Sequence, residues 1–136
     1  MTQTITLDLP ETIYSRLQQA ARATRQPLEA VFLRALQVGS PPGWDDVPAG
    51  FQADIAALDR LDDAALWRMA RSRQDEAELK HYQELLDKKA DGALSGPEAR
   101  QLEELRAAND RLMLCKAHAA ALLRWRGQSV PPAEKL

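Results

Sequence analysis

The sequence predicts a mainly α protein. One N-terminal strand and two helices are completed by a second copy, and an all-α module with a long last helix follows. Three observations carry this expectation. Residues Thr2 to Leu9 alternate apolar and polar side chains, the only such stretch in the chain. The segment from Val38 to Gly50 holds three prolines and three glycines and cannot continue a helix. Everything between and after these two stretches repeats its apolar residues at helical spacing.

In the strand candidate, Ile5, Leu7 and Leu9 take one face and Thr4, Thr6 and Asp8 the other. A single strand leaves a row of backbone N–H and C=O groups unpaired. A second copy about a two-fold axis is the simplest repair, which predicts a homodimer. Pro10 suits a first helical turn, and Glu11 lies favourably at the positive end of the helix dipole. Ile13, Leu17 and Ala20/Ala21 form the first helical stripe; Pro27 restarts the pattern, and Leu28, Val31, Phe32, Ala35 and Leu36 form the second, ended by Gly39. The predicted dimer core is therefore Ile5, Leu7, Leu9, Ile13, Leu17, Leu28, Phe32 and Leu36.

The expected organisation is an N-terminal module over 1–39, a Pro/Gly linker over 40–50, a helical module over 51–127 and a tail over 128–136. Trp44 in the linker is expected to dock on a neighbouring module. In the helical module, Ile55, Leu58 and Leu61 mark a short helix, and Asp62 is the expected N-cap of the next, with Ala65, Leu66, Met69 and Ala70 inside. A third helix runs from about Asp75 to Lys89 on Leu79, Tyr82, Leu85 and Leu86. The last runs from Pro97 to about Arg126. Its Leu105, Ala108, Leu112, Cys115, Ala119 and Leu122 make a 3-4 seam for a neighbouring helix or a partner.

Composition narrows the function classes. With 136 residues, 45% of them hydrophobic and 28% charged, the chain has ordinary globular character. A net charge of −2 argues against bulk attraction to a polyanion. The single cysteine, Cys115, excludes an internal disulfide. With no basic leader and no apolar run of roughly 20 residues, the expectation is a cytoplasmic protein without a membrane role.

Strand, proline, helix, turn, helix within the first quarter of the chain resembles the ribbon-helix-helix family of dimeric repressors and antitoxins. The residues that carry the resemblance are Ile5-Thr6-Leu7-Asp8-Leu9-Pro10, then Ile13 and Leu17, then Leu28, Phe32 and Leu36. The resemblance implies an antiparallel ribbon in the DNA major groove, with Thr4, Thr6 and Asp8 facing bases. It also implies backbone contacts around the second helix start, from Arg25, Gln26 and Leu28. Three positions depart from the family pattern. Asp8 stands where a basic or amide residue is common, Pro27 replaces a small hydroxyl residue, and Arg25 occupies a turn position that often holds glycine. Residues 1–39 carry four arginines against Asp8, Glu11 and Glu29, a net of +1 per copy.

The stretch from Asp87 to Glu98 matches most of an EF-hand loop, with Asp87, Asp91, Gly92, Ser95 and Glu98 in register. Lys89, however, occupies a ligand position. A helix-turn-helix connection explains the same residues: Gly92 stops one helix, Ser95 or Gly96 caps the next, and Pro97 opens it. Glu78-x-x-His81 is half of a carboxylate-bridged site with no second half, and Cys115-x-x-His118 supplies two ligands where zinc needs more. Arg68, Arg71 and Arg73 cluster, but residues 40–136 hold 14 basic against 17 acidic side chains, so a solvated face is the expectation.

No phosphate-binding glycine loop, nucleophile–histidine pair or metal set is present in the sequence, so no enzyme, cofactor or metal is expected. The functional expectation is a dimeric regulator of the antitoxin type. It would bind operator DNA through its N-terminal module and a protein partner, such as a nuclease toxin, through its C-terminal helices. The alternative is a dimeric adaptor without DNA binding.

Overall fold

Proline and cap residues set the helix starts. A computed structural model describes residues 1–136. It contains α1 (Glu11–Thr24), α2 (Leu28–Gly39), α3 (Ala49–Leu58), α4 (Asp63–Arg71), α5 (Glu76–Ala90), α6 (Gly96–Trp125) and a 3-10 turn at Ala133–Lys135. Pro10, Pro27 and Pro48 precede α1, α2 and α3 with φ of −55°, −59° and −52°. These are the values the pyrrolidine ring imposes. Asp62 and Asp75 cap α4 and α5, accepting from the N–H of Ala65 at 2.8 Å and of Ala77 at 3.1 Å. Ser95 and Glu98 form a full capping box at the start of α6.

The expected N-terminal strand is not formed, and with it the ribbon-helix-helix fold class is corrected. The structure is all-helical with no strand, and residues 1–10 carry no regular structure. The physical reason is simple. Period-two alternation sorts side chains onto two faces, but a strand exists only when its backbone is paired, and this chain holds no second extended segment.

The chain divides into two compact units, Met1–Ser40 and Pro41–Leu136. In the first, α1 and α2 pack as a hairpin, with the Tyr14 and Phe32 rings 6.4 Å apart and tilted by 50°. The turn between them is closed by Arg25 at φ 53°, a left-handed conformation, while the Gln26 N–H reaches the Ala21 carbonyl at 3.0 Å. A glycine would adopt that conformation without the Cβ penalty of about 1–2 kcal/mol.

In the second unit, α6 packs against α3, α4 and α5 of its own chain. The core gathers Ile55 and Leu58 of α3, Leu66 and Ala70 of α4, and Cys115, Ala119, Leu122 and Leu123 of α6. Trp44, Val47, Trp67, Val130 and Leu136 lie against it. Thus the segment before α3 and the one after α6 both cover this core. The predicted seam of α6 is buried at Cys115, Ala119 and Leu122, half-buried at Leu105 and Leu112, and exposed at Ala108. At 30 residues α6 is about 45 Å long. Six of its seven buried residues lie from Cys115 onward.

Candidate interaction surfaces

Alternation along residues 5–9 and the 3.6-residue period of α1 and α2 converge on one surface of the first unit. Ile5, Leu7, Leu9, Ile13, Leu17, Phe32, Ala35 and Leu36 line a concave space of about 400 Å³ that contains no charged side chain. Ile5 is 76% exposed, Leu7 60% and Leu36 58%. Leu17, Leu28 and Phe32 are half-buried. The only fully buried residue in the unit is Ala21. A unit of 40 residues with so small an interior is below the size at which one chain sustains a core unaided.

The residues that the resemblance assigned to DNA are Thr4, Thr6, Asp8, Arg25, Gln26 and Leu28. All are exposed except half-buried Leu28. Thr4, Thr6 and Asp8 are absent from the lining of the apolar surface. Asp8 instead shares a shallow concavity with Leu7, Leu9, Glu11 and Tyr14, which brings two carboxylate side chains into one place.

Sequence reasoning missed the polar knot of the second unit. His118 is 8% exposed, and its Nε2 lies 2.8 Å from Asp59 Oδ1. Arg126 extends across the same corner. It donates to the Leu61 carbonyl at 2.8 Å, to Asp63 Oδ1 at 3.0 Å and to the Asp59 carbonyl at 3.2 Å. These bonds satisfy the carbonyls left over where α3 ends, and they tie that end to α6. Asp59 lies 59 residues from His118, so no local spacing reveals the pair. The one available signal was the placement of Asp59 at a helix C-terminus, which the dipole disfavours.

The EF-hand-like loop is a helix-turn-helix connection. Gly92, at φ 70°, ends α5, and the Ala93 N–H reaches back to the Lys88 carbonyl at 2.9 Å. Glu98 is engaged by the Lys88 ammonium and the Ser95 backbone N–H, and Asp87 accepts from Gln83. No group of three or more His, Cys, Asp or Glu side chains is placed to hold a metal ion. His81 and Glu78 are exposed on α5. Cys115 is buried, and burial pushes its thiol above the ordinary value, which favours the unreactive form. Arg71 lies over the Trp67 ring at 4.6 Å, while Arg68 and Arg73 are solvated.

Acidification is expected to loosen the α5–α6 junction. Hydrogen bonds from Lys88 and Ser95 hold the Glu98 carboxyl down at about 2. A carboxylate depressed in the folded state contributes stability above its unfolded value of about 4.5 and loses it as pH falls toward 2. Carboxyl-carbon NMR should place the Glu98 midpoint near 2. Thermal melts should lose an increment over this window that Glu98→Gln, which keeps the cap without the charge, does not lose.

No helix is long and apolar enough to cross a membrane. The chain matches no family model, no curated protein and no solved structure.

Proposed function

We propose that this chain is a homodimeric transcription regulator of the antitoxin kind. The N-terminal unit self-associates and binds operator DNA, and the helical second unit grips a partner protein such as a nuclease toxin. The observation that carries this reading is the open, uncharged apolar surface of Ile5, Leu7, Leu9, Ile13, Phe32 and Leu36. A second copy presents the same surface, and two uncharged apolar faces meeting about a two-fold axis leave no charge unpaired. Pairing also sets two copies of Thr4, Thr6, Arg25 and Gln26 in a fixed relation. Hydroxyl and amide groups read base edges, and arginines meet phosphates. The DNA role is assigned to these exposed side chains and to the resemblance in spacing, without a ribbon.

The adaptor reading is favoured by one observation, the adjacency of Asp8 and Glu11. These two carboxylates, two and five residues along the chain from Thr6, repel the phosphates that a DNA face must approach. Gel-shift titration against DNA from upstream of the chain's own reading frame decides between the two. The regulator binds specifically and weakens roughly 10- to 150-fold between about 50 and 200 mM salt, as two to four phosphate contacts require. Thr6→Ala relaxes its sequence preference. An intact dimer that retards no DNA at low salt leaves the adaptor.

A further inference from the structure

We propose that a groove on the second unit binds an acidic, amphipathic helix of a partner protein. The inference rests on the reading of this unit as the partner-binding half, and it names the site and the chemistry. The groove, about 230 Å³, runs along the C-terminal half of α6 beside α4 and the terminal 3-10 turn, with Met113, Lys116, Ala117, Ala120, Arg124 and Leu136 among its walls. Met113, Ala117, Ala120 and Arg124 follow one another at 4-3-4 spacing, a stripe offset from the one that enters the core. Alanines form part of the floor, so there is depth for one large apolar side chain from outside. Met113, at the wall, is 60% exposed, a flexible apolar side chain of the kind that adapts to a partner.

The charges specify the occupant. Lys116 and Arg124 belong to none of the chain's five ion pairs, and no Asp or Glu lines the groove. They stand eight residues apart on α6, about 12 Å along its axis. A helix laid in the groove with an apolar anchor and two carboxylates seven or eight residues apart answers both cations while burying the anchor. Nucleic acid offers no aliphatic ridge for the alanine floor. An anionic membrane is disfavoured by the balance of residues 40–136, 14 basic against 17 acidic.

Selection of a displayed helical-peptide library on the full-length chain tests this. The recovered peptides are expected to share a Leu or Phe anchor with two acidic residues seven or eight apart. Lys116→Glu/Arg124→Glu is expected to weaken them at least about 10-fold, since like charges then face each other. Met113→Ala is expected to weaken them several-fold, and Lys116→Gln/Arg124→Gln gives an intermediate loss with less perturbation of the fold. Peptides that lack acidic residues, or that bind the charge-reversed chain equally well, leave the second unit a binding element but remove this groove. Recovery of no peptide removes both. A change in the sedimentation of the charge-reversed chain alone assigns the groove to a second copy and overturns the proposal.

Discussion

Leu123→Ala is expected to destabilise the second unit by about 2–5 kcal/mol. Leu123 is fully buried and sits in a cluster with Ile55, Leu66 and Ala70. Two members of that cluster, Ala70 and Ala119, are small and fully buried, which lets α4 and α6 approach closely. The apolar volume therefore comes from a few large side chains, and truncating one of them leaves a cavity in the core. Domains of this size are stable by roughly 5–15 kcal/mol, so the loss is a large share of the total. Trp44 and Trp67 both pack against the core, so urea denaturation followed by tryptophan fluorescence reads the change directly. Leu79→Ala is the control. Leu79 is half-exposed on α5, and its truncation should stay within about 1 kcal/mol. Equal costs at the two positions would mean that the core lies elsewhere.

The helices were legible because their ends are written in local chemistry. Asp62, Asp75 and Ser95 are caps whose action needs only the next three residues, and Pro10, Pro27 and Pro48 act through their own rings. The N-terminal strand was misread for the opposite reason. The alternation of Ile5, Leu7 and Leu9 correctly groups them on one surface, but pairing is not a local property and the chain supplies no partner. The α6 seam was read in part. Leu102, His118, Ala120 and Leu123 are buried as well, because α3, α4 and α5 contact this helix from more than one side and a single stripe cannot describe it. Ala108 stays exposed on the same stripe, since periodicity gives a residue's face but not how far along the helix its neighbours extend. The Asp59–His118 contact and the reach of Arg126 span some 60 residues, and nothing in the sequence joins them before the helices pack. For the candidate site, the periodicity of apolar residues located the apolar surface of the first unit. The groove beside α6 was not foreseen, because its floor is alanine and its cations resemble any solvated pair.

Replacing Leu36 by Glu is expected to separate the proposed dimer and to unfold the first unit with it. The two losses are coupled. Within its own chain the unit fully buries only Ala21, so its stability must come from what covers Ile5, Leu7, Leu9, Ile13 and Leu36. Burying one leucine removes about 1.5–3 kcal/mol of unfavourable hydration, and a two-fold contact counts it twice. Leu36 is 58% exposed within its own chain, so the pair gains about 2–3.5 kcal/mol, and Leu36→Ala should weaken association by roughly 20- to 300-fold, at about tenfold per 1.4 kcal/mol. Glutamate adds the cost of an unpaired charge against an apolar face and should leave no dimer at micromolar concentration. Sedimentation equilibrium reads the association, and amide exchange over residues 11–39 reads the fold of α1 and α2. Leu33→Gln is the control, because Leu33 is half-exposed yet outside the lining of the surface. A Leu36→Glu chain that sediments as the wild-type dimer would remove this face as the dimer contact and, with it, the geometry on which DNA recognition depends. A chain that falls to a monomer while its second unit melts unchanged would fix self-association to the first unit, since the core around Leu123 holds no residue of that unit.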